Sequence, residues 1–416
     1  NLRAQKKQLL YPGSMTTIAH LVSSNDAAAS SIPLAFAVPM DRAQERRREE
    51  EAWRRAYRAY AVCPLFEGRP ALPPLVAALE ARTTAEILDG LGKLMELVQA
   101  NRQNQAAMAA AGGFESLVSL LRSPLAEVAE QAARAVMDLA NCHDGRNDAT
   151  NKERFAKAGA IPALVTLLCE GTLAAKRDAA GACWNLSANN AENKVAMAAA
   201  GAIPPLVTLL ASGRDGDVDA AVNAAGALQN LGNRNYDNQV AIVDAGALGP
   251  LVALLEEDAP ANAAARALET LATNNLKNGV AVAEAGAIPP LVALLASDRT
   301  RQNAAGALWK LAVRNEDNGA AIANAGAVPW LVKVLDPTAT ALATKNAAGA
   351  IWCLAKATQK TKKKIVRADG VKHLKRLLTA GNQETKTIAE EALKALGCAT
   401  RDRHGRWTIP RRAARV

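Results

Sequence analysis

The sequence is poor in the residue types from which most active sites are built. Among its 416 residues, aromatic side chains make up 3%, and histidine and cysteine occur only four and six times. The motifs that mark catalysis are also missing: the chain has no phosphate-binding glycine loop, no Gly-x-Ser-x-Gly turn and no paired histidines spaced for a metal. We therefore expect a protein that is not an enzyme, with no catalytic residues, no bound metal and no cofactor.

The cysteines follow neither of the patterns that would give them a structural role. No Cys-x-x-Cys pair and no Cys/His spacing indicates a zinc site, and nothing resembles a secreted disulfide framework. We expect reduced thiols in a reducing compartment, which points to the cytoplasm and/or the nucleus. The cysteines are Cys63, Cys142, Cys169, Cys183, Cys353 and Cys398.

A long hydrophobic run is absent as well. No stretch of about eighteen apolar residues occurs, so no transmembrane segment is expected. The apolar segment Ser30–Met40 is short, contains two prolines and lacks the basic lead-in of a signal peptide. The chain begins at Asn1 rather than at a methionine, so membrane attachment through an upstream segment stays open.

What the chain has in abundance is one recurring block. The motif AGAIPPLVTLL at Ala200–Leu210 returns at spacings of 40 to 47 residues, and a degenerate copy begins near Arg69. Self-similarity at this period predicts a helical solenoid, whose units bury their apolar faces only by stacking on their neighbours. Such an array presents one long surface suited to holding another chain. The other copies begin at Ala111, Ala158, Ala245, Ala285, Ala325 and Ala368.

The residues within one unit predict three helices. In the unit 193–232, a short helix is expected to end at Gly201, and Pro204 and Pro205 fit the first turn of a second helix. The loop Ser212–Asp217 separates this helix from a third, expected over Val218–Leu231. We expect one short helix and two longer ones in every unit.

The pattern N-x-x-x-A-x-x-x-AGAIPPLVxLL … NAAGALxNLA resembles the armadillo repeat family, and most closely the β-catenin and plant types. It covers roughly Ala71–Gly397. The resemblance implies an all-α fold, a right-handed α-solenoid of about eight three-helix repeats whose third helices line a concave groove that grips extended peptides. We divide the chain into an irregular segment 1–68 with a charged helix at 41–60, the repeat array 69–398 and a basic tail 399–416.

The register of the third helices selects the candidate groove residues. Leu228 and Leu231 are apolar at i and i+3 and should face the core, which leaves Gln229, Asn230 and Gly226 on the exposed face. We call the place of Asn230 the ladder position. In chain order it is occupied by Glu96, Asp138, Asn185, Asn230, Thr270, Lys310, Cys353 and Ala395.

Two ladder residues and three tryptophans are the favoured partner contacts. An amide carries both a donor and an acceptor, so Asn185 and Asn230 can each bond the backbone of an extended peptide; alternatively, they bond a neighbouring repeat's backbone. Trp184, Trp309 and Trp352 directly precede ladder positions. They either anchor the partner or pack across to the next repeat's third helix.

Charge in the same register indicates an acidic partner segment. Arg134, Arg266 and Lys310 place positive charge in the expected groove, although each also fits an ordinary solvated side chain. A nuclear transport adaptor of the importin-α type is an alternative function. Such adaptors place tryptophan four residues before the ladder Asn, where this chain has Gly181 and Gly226, and the ladder fails from Thr270 onward. This spacing argues against that alternative.

The net charge of +10 belongs to one end of the chain. Residues 356–416 hold 17 Lys/Arg and 5 Asp/Glu, which leaves a net charge of −2 for the rest. A cluster of this kind attracts nucleic acid or an acidic partner, and this is a further alternative function. The tail has a single aromatic residue, Trp407, so a base-stacking surface is poorly supported and nucleic acid is not the expected partner. We expect a monomer that binds a peptide-like segment of another protein, extended or helical, in the concave groove.

Overall fold

The computed structural model describes residues 72–81, 83–98, 101–141, 148–213, 216–336 and 338–398, with two short strands beyond them. The expected segment 1–68 and its helix at 41–60 lie outside these residues, as do the first residues of the array. Within the described part, α-helices follow one another in eight units. The first unit contributes α1 (Leu72–Ala78) and α2 (Thr84–Val98).

Each of the next seven units has three helices. Units 2 to 4 contain α3 (Arg102–Ala110), α4 (Gly113–Leu120) and α5 (Ala126–Ala140); α6 (Asp148–Lys157), α7 (Ala160–Glu170) and α8 (Leu173–Ser187); and α9 (Ala191–Ala199), α10 (Ile203–Leu209) and α11 (Val218–Gly232). Units 5 and 6 contain α12 (Tyr236–Asp244), α13 (Leu248–Leu254) and α14 (Ala261–Ala272), then α15 (Leu276–Glu284), α16 (Ile288–Leu294) and α17 (Arg301–Ala312). Units 7 and 8 contain α18 (Glu316–Asn324), α19 (Ala327–Val334) and α20 (Ala341–Ala357), then α21 (Gln359–Arg367), α22 (Gly370–Ala380) and α23 (Gln383–Ala395).

Local sequence signals set the start and end of the first helix in most units. An asparagine caps its N-terminus, as Asn235 does by accepting a hydrogen bond from the backbone N–H of Asn238. A glycine with positive φ ends it, as expected for Gly201, whose φ is 84°. Pro204 and Pro205 lie in the first turn of α10, as the sequence predicts.

Apolar side chains of all units form one continuous core. The third helices of successive units lie side by side, and their buried faces are rich in alanine, such as Ala224 and Ala225 of α11. Small side chains let these helices approach closely. Leu206, Val207 and Leu209 of α10 are buried in the same core. The prediction of an all-α solenoid is confirmed.

The structure corrects the expected element lengths in two places. In unit 4 the second helix is no longer than the first: α10 has seven residues against nine in α9, and it is extended only by a 3₁₀ turn, Leu210–Gly213. The polar stretch 141–150, whose Asn, Asp and Gly residues favour a loop, already belongs to α6 from Asp148 onward. The long element in each unit is the third helix. Its length also changes along the array, from 15 residues in α11 to 12 in α14.

Two features complete the described chain. Within the expected tail, β1 (Thr400–Arg401) pairs antiparallel with β2 (Trp407–Thr408). Among the residues that the structure describes, no single helix is long and apolar enough to cross a bilayer. Within the described ranges, one pair of helices, Ala191–Ala199 with Ile203–Gly213, reaches the length and apolar composition of a membrane span when taken together, and an 86° bend separates the two.

Candidate partner-binding surface

The side chains that face outward from the third helices follow a rule that spans neighbouring units. The residue before a ladder position is here called the knob, and the residue four before a ladder position is called the seat. At five junctions the knob of one unit lies against the seat of the next. The knob Trp184 of α8 lies on the seat Gly226 of α11: a Cβ added to Gly226 would meet the Trp184 ring at 2.5 Å. Glycine is therefore required at this seat by close approach rather than by backbone conformation.

The same arrangement recurs wherever the seat is glycine and a third helix precedes it. Met137 lies on Gly181, Glu269 on Gly306 and Trp309 on Gly349. These glycines are buried. This corrects one expectation from the sequence, because Gly226 is covered by the Trp184 ring instead of lying exposed at the centre of the face. It also shows that Trp184 and Trp309 do pack across to the next third helix.

Where the seat is a long side chain, polar contacts replace the close approach. The Arg266 seat donates from Nη2 to Oε1 of the Gln229 knob at 3.3 Å. Arg134 pairs instead with Asp178 of the following unit, with 3.1 Å between its Nε and Oδ2, and Arg177 holds the other carboxylate oxygen at 2.9 Å. Because Asp178 is buried and paired twice, the charge of Arg134 is used in joining units 2 and 3.

The two ladder asparagines bond across the units and keep further hydrogen-bonding capacity. The Asn185 Nδ2 donates to the Met137 carbonyl oxygen at 2.9 Å, and the Asn230 Nδ2 donates to the Trp184 carbonyl oxygen at 2.8 Å. The bond to a neighbouring repeat, one of the two predicted roles, is thus present. Each amide retains one N–H and its Oδ1, which accepts no hydrogen bond from the described residues, and both side chains are half-buried.

A second row of asparagines lies two turns earlier on the third helices, and the sequence reasoning missed it. Asn223 donates to the Arg177 carbonyl oxygen and Asn346 to the Gln302 carbonyl oxygen, both at 3.0 Å. In unit 6, Asn303 donates to Oδ1 of Asn262 at 2.7 Å. The available signal was an asparagine seven residues before the ladder position in three units.

Two of the three candidate tryptophans are covered by lysines of this chain. The Lys310 Nζ lies 4.2 Å from the Trp309 ring centroid, and the Lys356 Nζ lies 4.1 Å from that of Trp352. Both distances fit cation–π contacts. Both indole N–H groups are buried: that of Trp352 finds no hydrogen-bond acceptor among the described residues, and that of Trp309 has only the Cys353 thiol beside it. No cation lies over Trp184 among the residues described, which sets it apart from the other two.

Buried carboxylates lie among the cations of this surface. Burial raises the pKa of Glu269, while Lys310, Arg266 and Lys345 oppose the rise. Burial likewise raises the pKa of Asp138, with Arg134 opposing. The surface thus carries interleaved charges of both signs rather than one sign throughout.

A cleft opens between α11 and α14. It encloses about 130 Å³, and its walls combine an indole ring and aliphatic carbons with two amides and one guanidinium. The residues that line it are Trp184, Val222, Gly226, Gln229, Ala259, Asn262, Ala263 and Arg266.

The described cysteines are free thiols without the setting of a reactive group. Burial raises the pKa of Cys183 to about 12 and, opposed by Lys356, that of Cys353 to about 11. Cys169 is exposed and Cys398 buried. Over the described ranges, no group of three or more His, Cys, Asp or Glu side chains is arranged to hold a metal ion.

Comparison with known proteins adds the family. A model described as the Armadillo/beta-catenin-like repeat matches residues 190–232 and 280–313. An engineered protein of known structure is 32% identical with a TM-score of 0.70, and the match covers 79% of this chain and 78% of that one. A designed armadillo repeat protein, solved in complex with the peptide (KR)4, is 26% identical with a TM-score of 0.44, covering 68% of this chain and 99% of that one.

No curated protein matches the chain. The family model and the engineered structure, which is similar over most of both chains, nevertheless agree with a repeated helical unit. The chain belongs to the armadillo repeat family.

Proposed function

We propose that this protein is a non-enzymatic scaffold that binds an extended segment of another protein along the concave face of its third helices, centred on units 3 to 5. The armadillo fold itself favours a protein-binding scaffold. The proposal of an extended peptide in this groove rests on the hydrogen bonding of the Asn185 and Asn230 side chains. Each amide is held by one bond to the preceding unit and still offers an N–H and a carbonyl oxygen.

The fixed amides are well suited to a peptide backbone. An extended chain presents its N–H and C=O groups in alternation, and an amide with one free donor and one free acceptor can bond both. Because the inter-unit bond already fixes the side-chain rotamer, binding orders little that was not ordered before. The position of Trp184 between the two amides, with its carbonyl oxygen bonded by Asn230, adds an aromatic surface beside the backbone site.

Units 6 and 7 offer the partner a different chemistry. Lys310 and Lys356 already occupy positions over Trp309 and Trp352, where a partner's cation would otherwise stack. These lysines and Arg266 favour acidic side chains at this end of the segment, while repelling basic ones. We therefore propose a partner segment that carries carboxylates toward units 5 to 7.

The test compares peptide binding by folded variants. Random peptides displayed on phage are selected on the wild-type protein, synthesised with a fluorophore and titrated by anisotropy. The Asn185→Ala, Asn230→Ala double variant should lose at least about tenfold in affinity, because two backbone contacts to a peptide are removed. Asn346→Ala is the matched control, since its amide makes the same kind of inter-unit bond outside the proposed site. Equal affinity of the double variant and the control would refute the proposal.

A second candidate function rests on the charge of the last unit. The segment 359–380, covering α21 and α22, carries eight Lys/Arg and a single acid, Asp369. Two of the cations are used within the chain, where Lys364 bonds the Ala323 carbonyl oxygen and Arg376 that of Leu335. The others are Lys360, Lys362, Lys363, Arg367, Lys372 and Lys375.

We propose that this basic surface of unit 8 binds an acidic polypeptide. A double variant, Lys360→Glu with Lys363→Glu, changes exposed residues only and should abolish binding of poly-glutamate at low salt. Unchanged binding, or a stronger and steeply salt-dependent association with duplex DNA, would overturn this assignment.

A further inference from the structure

The cleft between α11 and α14 arises where the third helix changes length. α11 begins at Val218, twelve residues before its ladder position, whereas α14 begins at Ala261, nine residues before its own. The first turn of α11 therefore faces the turn that ends at Pro260 rather than another helix. The seat also changes here from glycine to Arg266, and the Gln229 knob leans on it instead of filling the space.

The size and the walls of the cleft define what fits it. The cleft is open to solvent on one side and holds about 130 Å³, somewhat less than the roughly 150 Å³ of a closed apolar cavity that binds a benzene ring. The ring of Trp184 and the aliphatic groups of Val222 and Ala263 supply apolar contact. One branched aliphatic or phenyl side chain therefore matches the space.

The polar residues that line the cleft determine which chemical group of the partner fits beside that side chain. Arg266 is exposed, and the group it bonds, the Gln229 amide, is neutral, so this contact leaves its charge uncompensated. The Glu269 carboxyl interacts with the Arg266 charge, but it also interacts with Lys310 and lies over Gly306. The Asn262 oxygen is already occupied by Asn303, which leaves the Asn262 N–H groups as donors. Guanidinium and amide donors at one cleft favour a carboxylate.

The cleft adjoins the proposed backbone site. Asn230 bonds the Trp184 carbonyl oxygen, and the Trp184 ring forms a wall of the cleft. A peptide backbone held by Asn230 therefore runs past the cleft, and alternate side chains of an extended chain point to the same side. This contiguity makes the cleft part of the same binding surface rather than a separate pocket.

We infer that the cleft is an anchor subsite that takes one leucine- or phenylalanine-sized side chain of the partner segment, with a neighbouring aspartate or glutamate bound by Arg266. The inference rests on the peptide-binding function proposed above and names the residue type that the partner must supply. It adds a specificity element to a surface whose asparagines recognise only backbone.

The experiment fills the cleft with a larger side chain and leaves the ladder residues Asn185 and Asn230 unchanged. Peptides selected on the wild type are titrated against Ala263→Leu and, because a helix residue can disturb packing, also against Ala259→Leu in the exposed turn. Arg266→Gln removes the charge together with the bond to Gln229 but does not fill the cleft. Ala196→Leu and Lys277→Gln make matched changes at exposed positions on first helices.

We expect selected peptides to share one large apolar residue beside an acid, and either filling variant to weaken them at least about tenfold. A peptide with alanine at the apolar position should bind the wild type and the filled variants alike. If the filled variants bind selected peptides as well as the controls do, while the ladder double variant loses them, the anchor subsite is wrong and the proposed function stands. If no peptide depends on the ladder asparagines, both are wrong.

Discussion

Replacing the seat glycine in unit 4 gives a direct measure of the knob-on-seat contact. In Gly226→Ala, the new methyl group would lie 2.5 Å from the Trp184 Cδ2 atom and 2.6 Å from its Cε2. Alanine in a helix interior is favoured over glycine by about 1 kcal/mol. Overpacking a well-packed site costs about 1–3 kcal/mol. The clash and the propensity gain oppose each other, so we expect a net destabilisation of about 0–2 kcal/mol.

The chain contains its own matched control. Gly92 occupies the same register position in α2, but a methyl group there meets nothing within 4 Å. Gly92→Ala should therefore stabilise the protein by about 1 kcal/mol through helix propensity alone. The free energies of unfolding of the two variants should therefore differ from each other by about 1–3 kcal/mol. Relative to the wild type, the two substitutions should act in opposite directions.

The assay is urea denaturation followed by far-UV circular dichroism, with unfolding midpoints compared because long repeat arrays can depart from two-state behaviour. A double-mutant cycle isolates the contact: with Trp184→Ala in place, Gly226→Ala should become stabilising. If Gly226→Ala stabilises the wild-type protein as much as Gly92→Ala does, the Trp184 ring does not rest on this helix and the reasoning fails.

Three further predictions follow from individual contacts. Asn185→Ala should lower the free energy of unfolding by about 1 kcal/mol, measured by urea denaturation, because the bond that joins its unit to the Met137 carbonyl oxygen is lost, although the Asn141 N–H still donates to that oxygen; no change would place the inter-unit bond in doubt. Burial raises the pKa of Glu269 above its ordinary 4.5, so the free energy of unfolding falls as the pH rises through the window between 4.5 and the raised pKa of the native state. Glu269→Gln should therefore raise the thermal midpoint at neutral pH and leave it unchanged below the window, and an equal effect at every pH would contradict the burial argument. A thiol reagent should label Cys169 rapidly and Cys183 only on unfolding, as peptide mass spectrometry would show, because Cys183 is buried with a pKa near 12; fast labelling of Cys183 in the native protein would refute its burial.

The fold was predictable because each unit repeats its own local signals. Glycine with positive φ at Gly201 and the prolines at the start of α10 mark helix ends regardless of context. Repetition in register then supplies the architecture. The lengths of the second helices were not predictable, because the apolar run Leu206–Leu210 continues into a 3₁₀ turn that the pattern does not distinguish from helix.

The candidate surface was predictable only in part, because its geometry depends on pairs of units. The register placed the candidate residues on the third helices, but reading each helix alone put Gly226 on an exposed face. The ring that covers it belongs to a residue 42 positions earlier in the chain. The cleft escaped notice for the same reason, since it results from a difference in length between α11 and α14. Partner contact by the eight candidate side chains stays a prediction.

The knob-on-seat pairing also limits how such a chain can change during evolution or engineering. A unit whose seat is glycine accepts a predecessor with a methionine, tryptophan or glutamate knob, as Gly181, Gly226 and Gly306 show. In unit 5 the seat is Arg266, which forms a hydrogen bond with the Gln229 knob of unit 4. Duplicating or transplanting a unit therefore breaks two junctions unless each cut is made within a third helix, between the seat and the knob. The units have similar lengths, but each fits only a preceding unit whose knob suits its seat. Recombination that joins unsuited units would leave the contact between them overpacked or loosely packed.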